Sequence, residues 1–455
     1  MESRPIVVVS NRGPSSFVVD GDALRPGPPA GGLARGLRPL VSATGGTWIA
    51  CAISEADRRA AAVDRPDPDL DLRLLDIDQR VYGPAYDTIA NGTLWFVHHG
   101  LWDLPRRPRF DTHWRQAWHA YRTLNAEVSA LVVEAAPRDA VVLVQDYHFA
   151  LHAGSVGDRR PDLDLVHFSH TPFGGPESLA VLPDGPRQEY LEGMAAHTGC
   201  GFHSERWRRR FLQCCEEYGI EPPATFVSPL PPDVEGIRSL ADTTACAERL
   251  RTLEEALGRR RLILTSGRLE LSKNLQRALF AYEELLVRRP DLRGEVMFAA
   301  FVYPSREGLI DYQAYRQECE GTADRINARF GTADWTPVWF DTEDDLPRSI
   351  AGLRRYDVLV VNPIRDGLNL VAFEGPLVNE RDGTVVLSSE AGAAEQLGDI
   401  ADTVNPFDIE ETALAMARGL DAEPADRSHR SRALTSIATS RTIEDWYRAQ
   451  LAVIE

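Results

Sequence analysis

The sequence predicts an α/β protein built from doubly wound sheets, and three observations predict it. Short apolar runs recur along the whole chain, with Val, Ile and Leu at consecutive positions, as in parallel strands buried on both faces. Segments of helical periodicity separate them, such as Leu275 to Arg288, where Leu275, Leu279, Tyr282 and Leu286 share one face. A Pro-dense stretch, Val227-Ser228-Pro229-Leu230-Pro231-Pro232-Asp233, divides the chain into two halves of similar size, each with its own strand set.

In chain order the expected strands are Ile6–Val9, Val141–Val144, Leu165–Ser169, Leu262–Thr265, Val296–Ala300, Val358–Val361 and Thr384–Leu387. A chain of 455 residues is too long for one ordinary core, so domains are drawn at 1–230 and 231–440. Residues 441–455 form a closing helix whose packing partner, including a return to the first half, the sequence leaves open. Sheets of this kind bind ligands beyond the carboxyl ends of their strands, and two facing halves would place a site between them.

Composition narrows the function. Apolar content of 43 % and charged content of 26 % describe a globular chain. A formal net charge of −18 argues against a nucleic-acid or anionic-membrane surface, so an anionic substrate needs a local cationic pocket. The 6 cysteines show no C-x-x-C pairing and read as reduced thiols. No apolar run approaches the ~20 residues of a membrane span, and Met1 to Pro5 leads straight into a strand without a signal peptide, so a cytoplasmic location is expected.

Lys273 is the one lysine among 50 basic residues. A compact ammonium kept in an arginine background suggests a site that a planar fork does not serve. It follows the strand Arg261–Leu264 and a glycine turn, five residues after Arg268, in Gly267-Arg268-Leu269-Glu270-Leu271-Ser272-Lys273. Two cations at a strand-to-helix turn suit a phosphate or diphosphate; the alternative is ordinary surface charge. The segment Arg365-Asp366-Gly367-Leu368-Asn369-Leu370-Val371 follows another strand, and Glu374 comes one turn later. Gly367 permits close backbone approach, and the amides near Asn369 to Val371 open a helix, a ready anion site. Ser10-Asn11-Arg12, Gly31-Gly32-Leu33, Asp146-Tyr147-His148 and His170-Thr171-Pro172-Phe173 put further polar groups and glycines at strand ends and helix starts. Asp162-Leu163-Asp164 and Asp67 to Asp71 carry D-x-D spacing but read as solvated strand edges, and no metal or cofactor is expected.

Together these segments resemble the trehalose-6-phosphate synthase family. Leu94-Trp95, Arg268-Leu269-x-x-Ser272-Lys273, Arg325-Ile326-Asn327, Trp335-Thr336-Pro337, the Arg365–Val371 run and Ala391-Gly392-Ala393-Ala394 follow in the family's order across nearly the whole chain. The resemblance implies the GT-B fold, two Rossmann-like doubly wound domains facing across a cleft. It also implies metal-independent, retaining transfer of glucose from a nucleotide sugar to glucose 6-phosphate. On that likeness Arg268 and Lys273 neutralise the leaving diphosphate, the amides of Leu370 and Val371 bind its oxygens beside Gly367 and Asn369, and Glu374 holds the ribose. Asp366 and His170 hold donor hydroxyls, and Gly32 lies beside the donor phosphates. Arg12 and Arg306 clamp the acceptor phosphate, and Tyr86, Trp95 and Asp146 shape the acceptor pocket.

The sequence also departs from that pattern. Gln145 stands where the family has His, and Cys51 where a second Trp is common. Asp345 lies in the region that contacts the base and could accept from guanine, unless it is simply a helix cap, so GDP-glucose is the expected donor with UDP-glucose second. Phe373 to Asp382 and Trp48-Ile49-Ala50 also look like validoxylamine 7′-phosphate synthase, which joins a GDP-cyclitol to an amino-cyclitol phosphate. A non-catalytic sugar-nucleotide sensor is the third reading, and the complete Arg268, Lys273, Asp366 and Glu374 set argues against it. Assembly state is left open.

Overall fold

The computed structural model describes residues 4–20, 23–27, 37–39, 41–63 and 65–454. The chain forms two compact units, Met1–Leu230 with Thr442–Glu455, and Pro231–Arg441. In the first, β1 (Ile6–Ser10) is followed by a separate antiparallel hairpin of β2 (Phe17–Asp20) and β3 (Ala23–Pro26). The strands β4 (Thr47–Cys51), β5 (Asp71–Leu75), β6 (Val141–Gln145), β7 (Asp164–Ser169), β8 (Gly199–Phe202) and β9 (Ala224–Val227) join β1 in one sheet. Its order is β5-β4-β1-β6-β7-β8-β9, parallel throughout. The chain runs outward from β1 to β5 and returns on the other side of β1 at β6. That reversal parts the connections at the carboxyl ends of β1 and β6, where sheets of this type hold ligands.

The second unit repeats the plan. Its strands are β10 (Arg261–Leu269), β11 (Val296–Pro304), β12 (Val338–Asp341), β13 (Val358–Val361), β14 (Thr384–Ser388) and β15 (Asp402–Val404). Their order is β12-β11-β10-β13-β14-β15, again parallel, with the reversal between β10 and β13. The helix Leu275–Arg288 buries Leu275, Leu279, Tyr282 and Leu286, the face its periodicity predicts. Each such side chain removed from water contributes about 1.5–3 kcal/mol.

All seven expected strands lie within observed ones. The sequence misses the four sheet edges, β5, β9, β12 and β15, which are short or carry polar residues on an uncovered side. It also misses β4 and β8, whose composition is poor in Val and Ile. In β8 a Cβ on Gly201 would come within 2.4 Å of the Phe226 ring and 2.5 Å of the Phe168 ring, so two aromatics exclude the side chain that would mark a strand.

The closing helix Ile443–Leu451 starts on a Thr442–Asp445 capping box and packs Trp446 against Phe168, with ring centres 4.9 Å apart. Deeper in this unit His152, His167 and His197 are buried in mutual ring contact. Each donates one ring N–H to a main-chain carbonyl, of Phe149, Asp146 and Met194 respectively. Burial holds all three imidazoles well below their ordinary pKa, so they are neutral.

Candidate active site

Both reversals carry the polar strand ends that the sequence singles out. In the first unit β1 ends in Ser10, whose hydroxyl accepts from Trp48 Nε1 at 2.8 Å and donates to the Arg12 carbonyl at 2.6 Å. This fixes the turn that carries Arg12, whose side chain is exposed. Asn11 accepts from the Tyr82 hydroxyl, Tyr82 stacks on Tyr86, and Tyr86 stacks on His148 beyond β6. Tyr86 lies in a π-helix, Pro84–Leu94, a form frequent at functional positions. Trp95 follows it, buried with its ring against His99 and Tyr147. Gly31, Gly32 and Leu33 lie outside the described residues.

Asp146 closes β6 with φ 67° and ψ 173°, a region that essentially only glycine occupies without strain. The surrounding structure enforces it: Oδ1 accepts from the His170 N–H and the Thr171 hydroxyl, each at 3.3 Å. Burial pushes this carboxyl up to about 6, against the opposing pull of the N–H groups of Tyr147, Thr171 and His170. Of the six non-glycine residues with positive φ among the described residues, Asp146, Asn274, Arg306 and Asn369 all lie in these strand-end loops. Strain of this kind gathers at binding and catalytic sites.

His170 has no open ring nitrogen. The Leu230 N–H donates to His203 Nδ1 at 3.2 Å, so His203 carries its proton on Nε2 and gives it to His170 Nδ1 at 3.3 Å. His170 is thereby protonated on Nε2, which donates to Gln145 Oε1 at 2.9 Å. Burial, with His203 and His167 nearby, keeps the ring neutral. In this arrangement both ring nitrogens are hydrogen-bonded within the chain, so contact with a sugar hydroxyl requires His170 to exchange one of these partners.

In the second unit Gly267, at φ 138°, and Arg268 lie near the end of β10, and Lys273 closes the turn Leu271–Lys273 that follows it. Lys273 Nζ meets Asp366 Oδ2 at 2.5 Å, and Asn369 Nδ2 donates to the same oxygen at 3.0 Å. The Ile364 N–H donates to the Ser272 carbonyl at 2.8 Å, tying the two loops at the main chain. Gly392 packs beneath: a Cβ there would sit 1.9 Å from the Gly367 carbonyl oxygen. The helix Val371–Val378 begins after Leu370 with no side-chain cap, which leaves its first amides to an anion. Glu374 is half-buried one turn in, and its charge, with those of Arg268, Glu270 and Asp344, acts on Tyr303.

The sequence reading misses Glu270, which is wholly buried between the cations. Its Oε1 accepts from Arg268 Nη1 at 2.8 Å, from the Ser305 hydroxyl at 2.7 Å, and from Arg306 Nη1. The signal was available, since Arg268 and Glu270 are two apart in an extended segment and share a face. Arg306 belongs to the second unit and Arg12 to the first. Asp345 is a helix cap: Oδ1 accepts from the Arg348 N–H at 2.9 Å, and Oδ2 pairs with Arg249 at 2.8 Å. Among the described residues no helix is long and apolar enough to cross a membrane.

The model of glycosyltransferase family 20 matches residues 4–455. Validamine 7-phosphate valienyltransferase of Streptomyces hygroscopicus subsp. jinggangensis is 30 % identical over 427 residues, covering 89 % of this chain and 84 % of that one. Trehalose-6-phosphate synthase of Klebsiella pneumoniae subsp. pneumoniae is 30 % identical over 433 residues, covering 92 % and 89 %. A solved E. coli structure, described as trehalose-6-phosphate bound with UDP-2-fluoro glucose, superposes with a TM-score of 0.86 at 27 % identity, covering 98 % of both chains.

Proposed function

Since this chain belongs to glycosyltransferase family 20, we propose that it moves glucose from a nucleoside diphosphate glucose to glucose 6-phosphate, forming α,α-trehalose 6-phosphate with retention. The observation that carries this reading is the cluster at the second reversal. Arg268, Lys273 and the open amides after Leu370 converge where a diphosphate would gain charge as the glycosidic bond stretches. Groups fixed on developing charge stabilise the transition state more than the ground state. Gly367 and Asn369 shape the loop, Glu374 takes the ribose hydroxyls, and Asp366 orients Lys273 while its other oxygen faces the donor sugar. On the first unit Arg12 takes the acceptor phosphate, and Tyr86, Trp95 and Asp146 form the hexose pocket; on the second unit Arg306 is a ligand for the same class of phosphate. His170 walls that pocket, and the departing phosphate oxygen receives the acceptor proton.

For the base, GDP-glucose is proposed ahead of UDP-glucose. Asp345 is engaged as a cap, so the acceptor for guanine N–H groups is assigned to exposed Asp344, whose charge reaches Tyr303 beside the phosphate cations. The test supplies GDP- or UDP-glucose with glucose 6-phosphate and looks for a non-reducing disaccharide phosphate by NMR. Equal kcat/KM for the two donors removes the base assignment, and absence of product with both removes the transfer.

A second reading has its own support. Cys51 and Gln145 depart from the trehalose-6-phosphate synthase pattern, and a valienyltransferase is among the relatives. In that reading the acceptor is an amino-cyclitol phosphate and a C–N bond forms. An amino-cyclitol phosphate consumed in preference to glucose 6-phosphate would establish it.

A further inference from the structure

We propose that Glu270 is a positioning residue that holds two guanidinium groups with one carboxylate oxygen, and so sets the affinity for both substrates at once; the inference rests on the assignments of Arg268 and Arg306 above. Glu270 has no exposed surface. Three donors converge on Oε1, from Arg268, Ser305 and Arg306, and Oε2 accepts from the Ser272 hydroxyl at 3.4 Å. Burial alone would push this carboxyl up, but Arg268, Arg306 and Lys273, with the Ser305 hydroxyl, more than reverse it and hold it at about 2. The anion is therefore a permanent part of the fold.

A second observation makes the arrangement costly and so purposeful. Arg306 has φ 50°, left-handed for a side-chain-bearing residue, and its guanidinium is held between Glu270 and the Tyr312 ring, 5.8 Å from the ring centre. The Arg306 carbonyl also accepts from the Leu309 N–H at 2.9 Å, so the left-handed backbone, the turn and the buried ion pair occur together at this residue. Arg268 pairs with the same oxygen and stays more exposed than Arg306. One buried anion thus aims one cation at each of two phosphate groups, and spares each guanidinium the entropy of being ordered by its ligand. It also offsets part of the positive charge of Arg268, Lys273 and Arg306, which lets the nucleoside diphosphate leave after transfer.

The experiment compares E270Q, E270D, R306A and the double variant R306A/E270Q by steady-state kinetics. E270Q keeps the volume, loses the charge and turns an N–H2 toward cations. Its KM should rise at least fivefold for donor and acceptor together, with a lower kcat, and E270D should recover part of each. R306A should raise only the acceptor KM. In that background E270Q should add nothing to the acceptor KM and still raise the donor KM, a pattern that general loosening does not produce. An E270Q enzyme with either KM unchanged overturns the proposal, and E270D carries the comparison if E270Q does not fold. Backbone amide exchange over residues 305–309, measured without substrate, gives a second readout. It should quicken at least tenfold in E270Q while the helix Leu275–Arg288 stays protected. If the wild-type protein forms no product with any donor, the transfer reading fails, and unchanged exchange in E270Q then overturns the role of Glu270 separately.

Discussion

Lys273 and Asp366, 93 positions apart in sequence, meet at 2.5 Å between Nζ and Oδ2 across the reversal of the second sheet. The pair joins the two loops that a strand-end reading treats separately. It holds the ammonium against the loop that leads to the open helix start, with the side chain of Lys273 only 25 % exposed.

Lys273→Ala should lower kcat by about 10²–10³, the range for losing one donor to developing charge. Lys273→Arg should rescue little, because a guanidinium cannot replace a compact ammonium against Asp366. Steady-state assays at saturating substrates check both. An unchanged kcat in Lys273→Ala ends the leaving-group role.

Asp146 predicts a pH limb and a stability effect of opposite benefit. Its carboxyl lies at about 6 against an ordinary 3.8. If the ionised form accepts a sugar hydroxyl, kcat/KM falls as pH drops below about 6, and Asp146→Asn loses the limb along with activity. For stability the sign runs the other way. The folded state holds this proton more tightly than the unfolded chain, so ionisation costs folding free energy that is fully felt above the folded pKa. Asp146→Asn should therefore raise the urea midpoint at pH 7, with a gain in unfolding free energy of at most roughly 3 kcal/mol for a shift near two units.

The buried histidines make the first unit acid-labile. His152 lies at about 4 and His167 at about 3, both from burial, and His197 is lowered in the same way. Between the ordinary value of 6.5 and these lowered ones, the unfolded chain takes up protons that the folded one refuses. Stability is thus whole above about 6.5 and is lost as pH falls toward 4, by up to ~1.4 kcal/mol per pH unit for each histidine. Denaturant titrations at pH 7, 6 and 5 should show this, with a shallower decline in His197→Leu. A flat profile would mean that the rings are solvated.

Gly392→Ala places a methyl 1.9 Å from the Gly367 carbonyl and must displace the Asp366 loop. We expect a loss of about 1–3 kcal/mol, typical of overpacking, together with a rise in donor KM. Thermal unfolding and donor titration report the two effects separately.

The caps predict what does not change. Asp345→Ala should cost about 1 kcal/mol as a lost N-cap and leave the ratio of GDP- to UDP-glucose use as it was. Asp344→Asn should move that ratio. If the two outcomes are exchanged, the base contact returns to Asp345.

The strand-end motifs were legible because buried parallel strands are written in runs of Val, Ile and Leu. Each run locates the loop at its carboxyl end, and that brought Arg268, Lys273, Asp366 and Asp146 into view. The role of Asp345 as a cap was also written locally, three residues ahead of Arg348. What the sequence could not show is pairing at long range. Nothing near His170 announces that His203 and Gln145 will occupy its nitrogens, since the three come from the ends of different strands. A carboxylate between cations, such as Glu270, reads as surface charge until its burial is known. The backbone strain at Asp146 and Arg306 has no local signature at all.

The return of Trp446 to the first unit has a consequence for synthesis. Strand β7, with Phe168, and His170 just after it leave the ribosome long before the helix that covers them, and the whole Pro231–Arg441 segment is made in between. The later segment is continuous and can collapse as soon as it emerges, whereas the earlier one waits for residues 442–451 to seal its interior. A nascent chain halted before residue 442 should carry a protease-resistant second half and a first half still open to cleavage.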